Sequence, residues 1–224
     1  MIRDEIKQQQ QKLKNKSLRE KAAYFWYYYK VHVIAAVLGV IVISLFVTSA
    51  VRSSREPSVY VALINSGLSS AEDTQLMSGF AQSRDIDVEA HPAVLDYSMR
   101  MTPSFSDDVS LASSQQLMVH MNIGDVDVYM CDQWLIDEYA SLEAFENLEE
   151  LLPDSLFAQL KEQLYYVQTE YKGRIPVAFY AGELARVRAE QLYDEDTVPL
   201  LAVSRTSKRK DAAVDFIRYL LEDS

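Results

Sequence analysis

Gly124-Asp125-Val126-Asp127-Val128-Tyr129-Met130 is the stretch on which the reading of this chain turns. A glycine opens it, and alternating acidic and apolar residues close into an apolar run, the pattern of a strand entering a buried sheet. Two residues later Asp132 can cap a helix running towards Tyr139. The same strand-then-helix order recurs upstream. Val59–Ile64 (VYVALI) is a short apolar run fit for a buried strand, and Asn65-Ser66-Gly67 breaks it. Ser69 or Ser70 can then cap a helix through Phe80, with Glu72 and Asp73 favourably placed in its first turn. Ile86–Ala90 alternates as a second strand, and a polar, Pro-containing stretch at 91–107 leads to a helix over about Val109–Met121.

Downstream, Pro153–Leu164 reads as a helix with proline in its first turn. Tyr165–Glu170 and Arg174–Tyr180 form a hairpin around Lys172-Gly173. Val198–Val203 is the last strand, followed by a helix from about Lys208 whose buried face is Ala213, Phe216, Ile217, Leu220 and Leu221. Strands interleaved with helices predict an α/β domain over residues 58–224, with a mostly parallel sheet covered on both faces.

Before this domain the composition changes abruptly. Val31–Val51 (VHVIAAVLGVIVISLFVTSAV) contains no Asp, Glu, Lys or Arg. Twenty-one residues at about 1.5 Å each give about 31 Å, the thickness of a bilayer's hydrocarbon core, so the segment is expected to be a single transmembrane helix. The unbroken aromatic run Tyr24–Tyr29 suits the headgroup level. Residues 1–30 carry eight Lys/Arg against three Asp/Glu, which predicts a cytoplasmic N-terminus and an extracellular C-terminal domain. A charged region of about thirty residues and a long apolar core favour an uncleaved signal-anchor over a cleaved signal peptide. The expected organisation is a basic tail at 1–30, the span at 31–51, a linker at 52–57 and the domain at 58–224. The tail's lysines could rest on anionic lipid, and Ala35-x-x-x-Gly39 could pack two spans together.

The formal charge of −11 therefore conceals two numbers, +5 on residues 1–30 and −16 on residues 52–224. An acidic domain argues against nucleic acid as a partner. None of the six glycines is spaced for a dinucleotide or triphosphate cradle. One cysteine excludes an intrachain disulfide. No His/Cys set has zinc spacing, and Asp194-Glu195-Asp196 lacks the calcium-loop pattern, so neither metal nor cofactor is expected.

In open α/β sheets ligands sit beyond the carboxyl ends of the strands. That rule selects Asn65, Ser66 and Ser69 after the first strand, Asp132, Gln133 and Trp134 after the Gly124–Met130 strand, and Ser204 and Arg205 after the last. Trp134 could stack on a sugar or amine, Asp132 could pair with a cation, and the hydroxyls could bind a polar solute. Turn and cap chemistry accounts for Asn65, Ser66, Ser69 and Asp132 equally well, and Trp134 could belong to a helix face packed on the sheet. Catalytic groupings are weaker. Cys131 with His91 or His120 has no supporting motif, and Asp125-Val126-Asp127 is read as strand-edge solvation rather than as a metal-binding D-x-D pair. Lys208-Arg209-Lys210 is read as surface charge.

The order of elements, with Gly124–Met130 opening a central strand and Leu200–Ser204 followed by Lys210–Leu221, resembles the extracellular solute-binding proteins of ABC transporters. The aromatic run before a span also looks like small membrane-anchored proteins of Gram-positive bacteria. The resemblance implies a binding domain rather than an enzyme, with a small solute and an ABC transporter or other envelope protein as partners, alongside the lipid bilayer. About 167 residues is short for a two-lobed binding protein, so the second lobe must be abbreviated. The expectation is non-enzymatic recognition of a small polar solute or envelope component at the outer face of the membrane. The alternative is an adaptor whose domain binds another envelope protein and has no cleft.

Overall fold

The computed structural model describes residues 40, 41, 55–169, 173–194 and 196–222. The tail at 1–30, nearly all of the apolar stretch 31–51 and most of the linker lie outside the described residues; Val40 and Ile41 are helical and exposed. Among the described residues no helix is long and apolar enough to cross a membrane. A separate compact unit begins at Glu56.

Among the described residues six strands build this unit: β1 (Val59–Leu63), β2 (Ala93–Asp96), β3 (Val128–Cys131), β4 (Leu164–Thr169), β5 (Gly173–Tyr180) and β6 (Leu200–Val203). Seven α-helices among the described residues accompany them: α1 (Leu76–Ser83), α2 (Asp108–Ile123), α3 (Gln133–Ala140), α4 (Leu148–Leu151), α5 (Asp154–Leu160), α6 (Ala185–Ala189) and α7 (Lys210–Leu221). The strand order is β2-β1-β3-β6-β5-β4. β1 pairs parallel with β2 and β3, whereas β3–β6, β6–β5 and β5–β4 are antiparallel. The expected α/β class is present, but the sheet is mixed, parallel only across β2-β1-β3. The tight β4–β5 hairpin forces one antiparallel pair, and β6 enters between β3 and β5 against both.

Alternation sends successive residues of each strand to opposite faces. Val59, Val61, Leu63, Val128, Met130, Leu201 and Val203 join one apolar cluster with α1, α4–α6 and α7. Ala62, Tyr129, Cys131, Leu200 and Ala202 join the other, beneath α2 and α3. Phe80 of α1 meets Phe216 and Tyr219 of α7 edge-on at 5.4 and 5.6 Å. The face expected for α7 is buried at Ala213, Phe216, Ile217 and Leu220, while Leu221 is only partly covered.

Two local expectations need correction. Ile86–Ala90 is not a strand; the Asp87 carboxylate accepts from the Glu89 and Ala90 amides and folds the segment into a turn. The second strand is Ala93–Asp96, inside the stretch expected to be irregular. Further back, Ser70 caps a short 3-10 turn at Ala71–Asp73, its amide received by Asp73 Oδ2 at 2.7 Å, and the helix proper starts only at Leu76.

Candidate functional site

The carboxyl ends of β1, β3 and β5 lie along one edge of the sheet, because β5 and β3 both run opposite to the strand between them. Asn65 emerges there from β1 with φ of +60°, a left-handed conformation that asparagine tolerates better than most residues. Its Nδ2 donates to Asp132 Oδ2 at 2.6 Å and to the Met101 carbonyl at 2.9 Å, and its Oδ1 accepts from the Met101 amide at 2.7 Å. One side chain thus ties together the exits of β1 and β3 and the segment joining β2 to α2.

Arg100 completes the clamp. Its guanidinium donates to the carbonyls of Ser66 and, at 3.2 Å, Leu68. On the other side the Gly67 amide donates to the Leu192 carbonyl at 2.9 Å. The buried Tyr193 hydroxyl donates to the Met130 carbonyl at 2.5 Å, and burial holds that phenol well above its ordinary value. Ser66 is buried, and its Oγ has no hydrogen-bond partner among the described residues.

Several of the residues selected for a ligand bind one another or their neighbours. Asn65 and Asp132 satisfy each other, and Ser69 is an exposed turn residue whose amide points to Asp73 Oδ2 at 3.3 Å. Gln133 is exposed at the start of α3, and half-buried Trp134 packs edge-on against Phe105 at 5.8 Å. The three candidate groups do not converge. Because β6 runs antiparallel to β3, with Val203 opposite Val128, Ser204 and Arg205 lie at the far edge of the sheet. Ser204 is buried there against Thr206, and Arg205 pairs with Glu143.

Asn65→Ala breaks the three hydrogen bonds and leaves a residue with no local compensation in left-handed backbone. The unfolding free energy is expected to fall by about 2–3 kcal/mol in urea titration. Asn65→Gly, which relieves the backbone but not the lost bonds, should recover only part of that.

Beside the clamp lies an open depression of about 620 Å³, between the loops that follow β1 and β5 and the segment entering β6. Gly67, Gly182, Glu183, Arg188, Asp194 and Thr197 are among its lining residues. Glu183 and Arg188 form an ion pair of 2.5 Å, each side chain about two-thirds exposed (66% and 65%). Surface pairs of this kind contribute little to stability, which leaves both charges available to a ligand. The depression is within the size range of small-molecule sites. Of the segment that the strand-end rule selected after β1, Gly67 lines the depression, and Ser66 and Ser69 are not among its lining residues. That rule missed Glu183, Arg188 and Asp194, which lie between β5 and β6, Arg188 on the short helix α6 and the other two on the loops around it, where no local motif marks them.

The opposite edge holds a buried carboxylate met by three donors. Asp127 is fully buried and accepts from Ser207 Oγ at 2.6 Å, the Tyr60 amide at 2.8 Å and Arg209 Nε at 3.0 Å. Arg209 also donates to the Asp125 carbonyl, and Lys210 pairs with Glu146. Both the solvated reading of Asp127 and the surface reading of Lys208-Arg209-Lys210 are corrected: Arg209 and Lys210 bind other parts of the domain. Asp125 turns instead to His120, Oδ1 to Nδ1 2.9 Å. Cys131 is buried at the other end of β3 from this His–Asp pair, its thiol pushed far above the usual range by burial. The cysteine and histidine do not form a catalytic couple.

Comparison of the chain with family models, curated proteins and solved structures finds no match.

Proposed function

We propose that this chain is a membrane-tethered recognition protein. An N-terminal span holds an extracellular α/β domain that binds a small polar solute or cell-envelope component without catalysing a reaction. The tether rests on the 21-residue stretch free of Asp, Glu, Lys and Arg and on the basic segment before it. The binding role is carried by one observation, the open depression bearing an exposed Glu183–Arg188 pair beside a rigidly clamped strand exit. A carboxylate and a guanidinium side by side suit a ligand with both an ammonium and a carboxylate or phosphate group. The domain is then a reduced solute-binding module in which the depression replaces the inter-lobe cleft.

The purified full-length protein in detergent should gain thermal stability with at least one member of a panel of amino acids, oligopeptides, sugars and peptidoglycan fragments. At a hundredfold excess over Kd the gain is about 2.7 kcal/mol, or on the order of 5–10 °C for a domain of this size. Arg188→Ala and Glu183→Gln should abolish the shift while leaving the ligand-free Tm within about 1 °C. If no panel member shifts the protein, and an envelope protein co-purifies with it, the adaptor role takes precedence. The Asn65–Asp132 contact, which ties the exits of β1 and β3 together, is the observation on that side.

A further inference from the structure

We infer, resting on the recognition role proposed above, that the depression beside the clamp takes a free basic amino acid. Arg188 receives its α-carboxylate, Glu183 its α-ammonium, and Asp194 the cation at the end of its side chain. These are the charged side chains among the described lining residues, two acidic and one basic. Glu183 and Arg188 pair with each other. Asp194 does not take part: its side chain is exposed, and no described group pairs with it. A zwitterion can satisfy the pair, but it leaves one negative charge in excess. A second cation on the ligand neutralises that charge. The formal −16 on residues 52–224 favours the same sign of ligand.

Asp194 stands on anchored backbone. The Leu192 carbonyl accepts from the Gly67 amide at 2.9 Å, and the Tyr193 hydroxyl is tied to the Met130 carbonyl. The Thr197 amide donates to the carbonyl of Asp194 itself at 2.9 Å. A carboxylate presented this way loses little freedom when a ligand arrives. A Cβ on Gly67 would lie 3.6 Å from Asp194 Oδ1, so the carboxylate sits against the loop after β1. Glu183 and Arg188 belong to a different segment, the one that follows β5. Val187, Leu192, Val198 and Pro199 supply the apolar part of the lining. An apolar surface bordered by charge suits a methylene stem with a cation at its end. A neutral amino acid leaves Asp194 without a counter-charge, and an acidic one sets a second carboxylate against it.

The test is calorimetry on the purified full-length protein in detergent at low salt, with L-lysine, L-norleucine and L-glutamate as probes. L-lysine should bind roughly fivefold more tightly than L-norleucine, the gain of one exposed ion pair. L-glutamate should bind most weakly. Asp194→Asn should bring the lysine-to-norleucine ratio close to one, Asp194→Glu should preserve it, and Asp194→Lys should reverse the order of lysine and glutamate. Because Asp194 is exposed and unpaired, the ligand-free Tm of these variants should match that of the natural chain, which separates lost recognition from lost folding. Nα-acetyl-L-lysine, which lacks the α-ammonium, should bind more weakly than free lysine. The inference is overturned if the acetylated probe or norleucine binds as tightly as lysine, or if Asp194→Asn keeps the preference. If the three amino acids fail while a sugar or peptidoglycan fragment raises the Tm, the inference falls and the recognition role stands. If nothing binds, both fall.

Discussion

Asp127→Ala is expected to lower the unfolding free energy at neutral pH by about 3–5 kcal/mol, the loss typical of breaking a buried ion pair by removing one partner. The carboxylate is wholly buried and receives three donors from three places: Tyr60 in β1, Ser207 after β6 and Arg209 at the entry to α7. Alanine leaves the Arg209 guanidinium, only 14% exposed, without its counter-charge. It also leaves the Tyr60 amide and Ser207 hydroxyl without acceptors. Removing both partners of such a pair is far milder than removing one, so Asp127→Ala/Arg209→Met should be clearly more stable than Asp127→Ala alone. Urea titration of the natural chain, Asp127→Ala, Arg209→Met and the double variant closes the cycle; a double loss equal to the sum of the two single losses would show that the pair contributes nothing.

The same site has a pH signature. Burial pushes the Asp127 carboxyl above the ordinary carboxylate range, opposed by its hydrogen bonds and by Arg209. A carboxyl raised on folding contributes stability that is fully present below its unfolded value of about 3.9. It loses that contribution as the pH rises through its folded value. The deficit of Asp127→Ala relative to the natural chain should therefore be larger at pH 4 than at pH 7.

Gly124→Ala is expected to cost about 3–4 kcal/mol, by a different physical route. Gly124 closes α2 with φ of +69° and ψ of +37°, its amide donating to the His120 carbonyl at 2.9 Å. An L-residue in this left-handed conformation costs roughly 1–2 kcal/mol. The rest is steric. A Cβ here would overlap the Thr206 carbonyl oxygen and come within 2.9 Å of its carbon. Relief requires moving the 204–207 turn, which carries Ser207 and leads to Arg209, so the strain reaches Asp127. Asparagine adopts left-handed backbone readily but also has a Cβ. If the clash dominates, Gly124→Asn should be nearly as unstable as Gly124→Ala; if backbone conformation alone matters, it should recover most of the loss.

Much of the fold was legible because hydrophobic period and punctuation agree. The β4–β5 hairpin, the β3–α3 unit and the buried face of α7 follow from local pattern. What failed was long-range. β6 is an apolar tetrapeptide equally at home parallel or antiparallel, and its direction is decided by pairing with β3 more than sixty residues away. That direction moved Ser204 and Arg205 to the far edge of the sheet. β2 was missed because an edge strand of four half-covered residues has little period to show, while Ile86–Ala90 shows the period but spends its amides on Asp87. At the candidate site the residue types were read correctly, but their engagement was not. Nothing local reveals that Asn65 and Asp132 meet, that Arg100 reaches back to Ser66, or that Asp127 is met by Arg209 eighty-two residues on.

The placement of β6 also governs how the domain can be made. Among the described residues it is the last strand in sequence, and it sits mid-sheet, with β3 on one side and β5 on the other. Until residues 200–203 have been synthesised, the growing chain can hold only two separate half-sheets, β2-β1-β3 and β4–β5, each with an unpaired inner strand. An unpaired β3 (Val128–Cys131) is apolar along its whole length. A ribosome that stalls or stops before residue 200 thus releases a product with two sticky edges, a natural substrate for quality-control proteases. Arrival of β6 is the event that joins the halves, and deletion of Leu200–Val203 should abolish accumulation of the protein rather than merely weaken it.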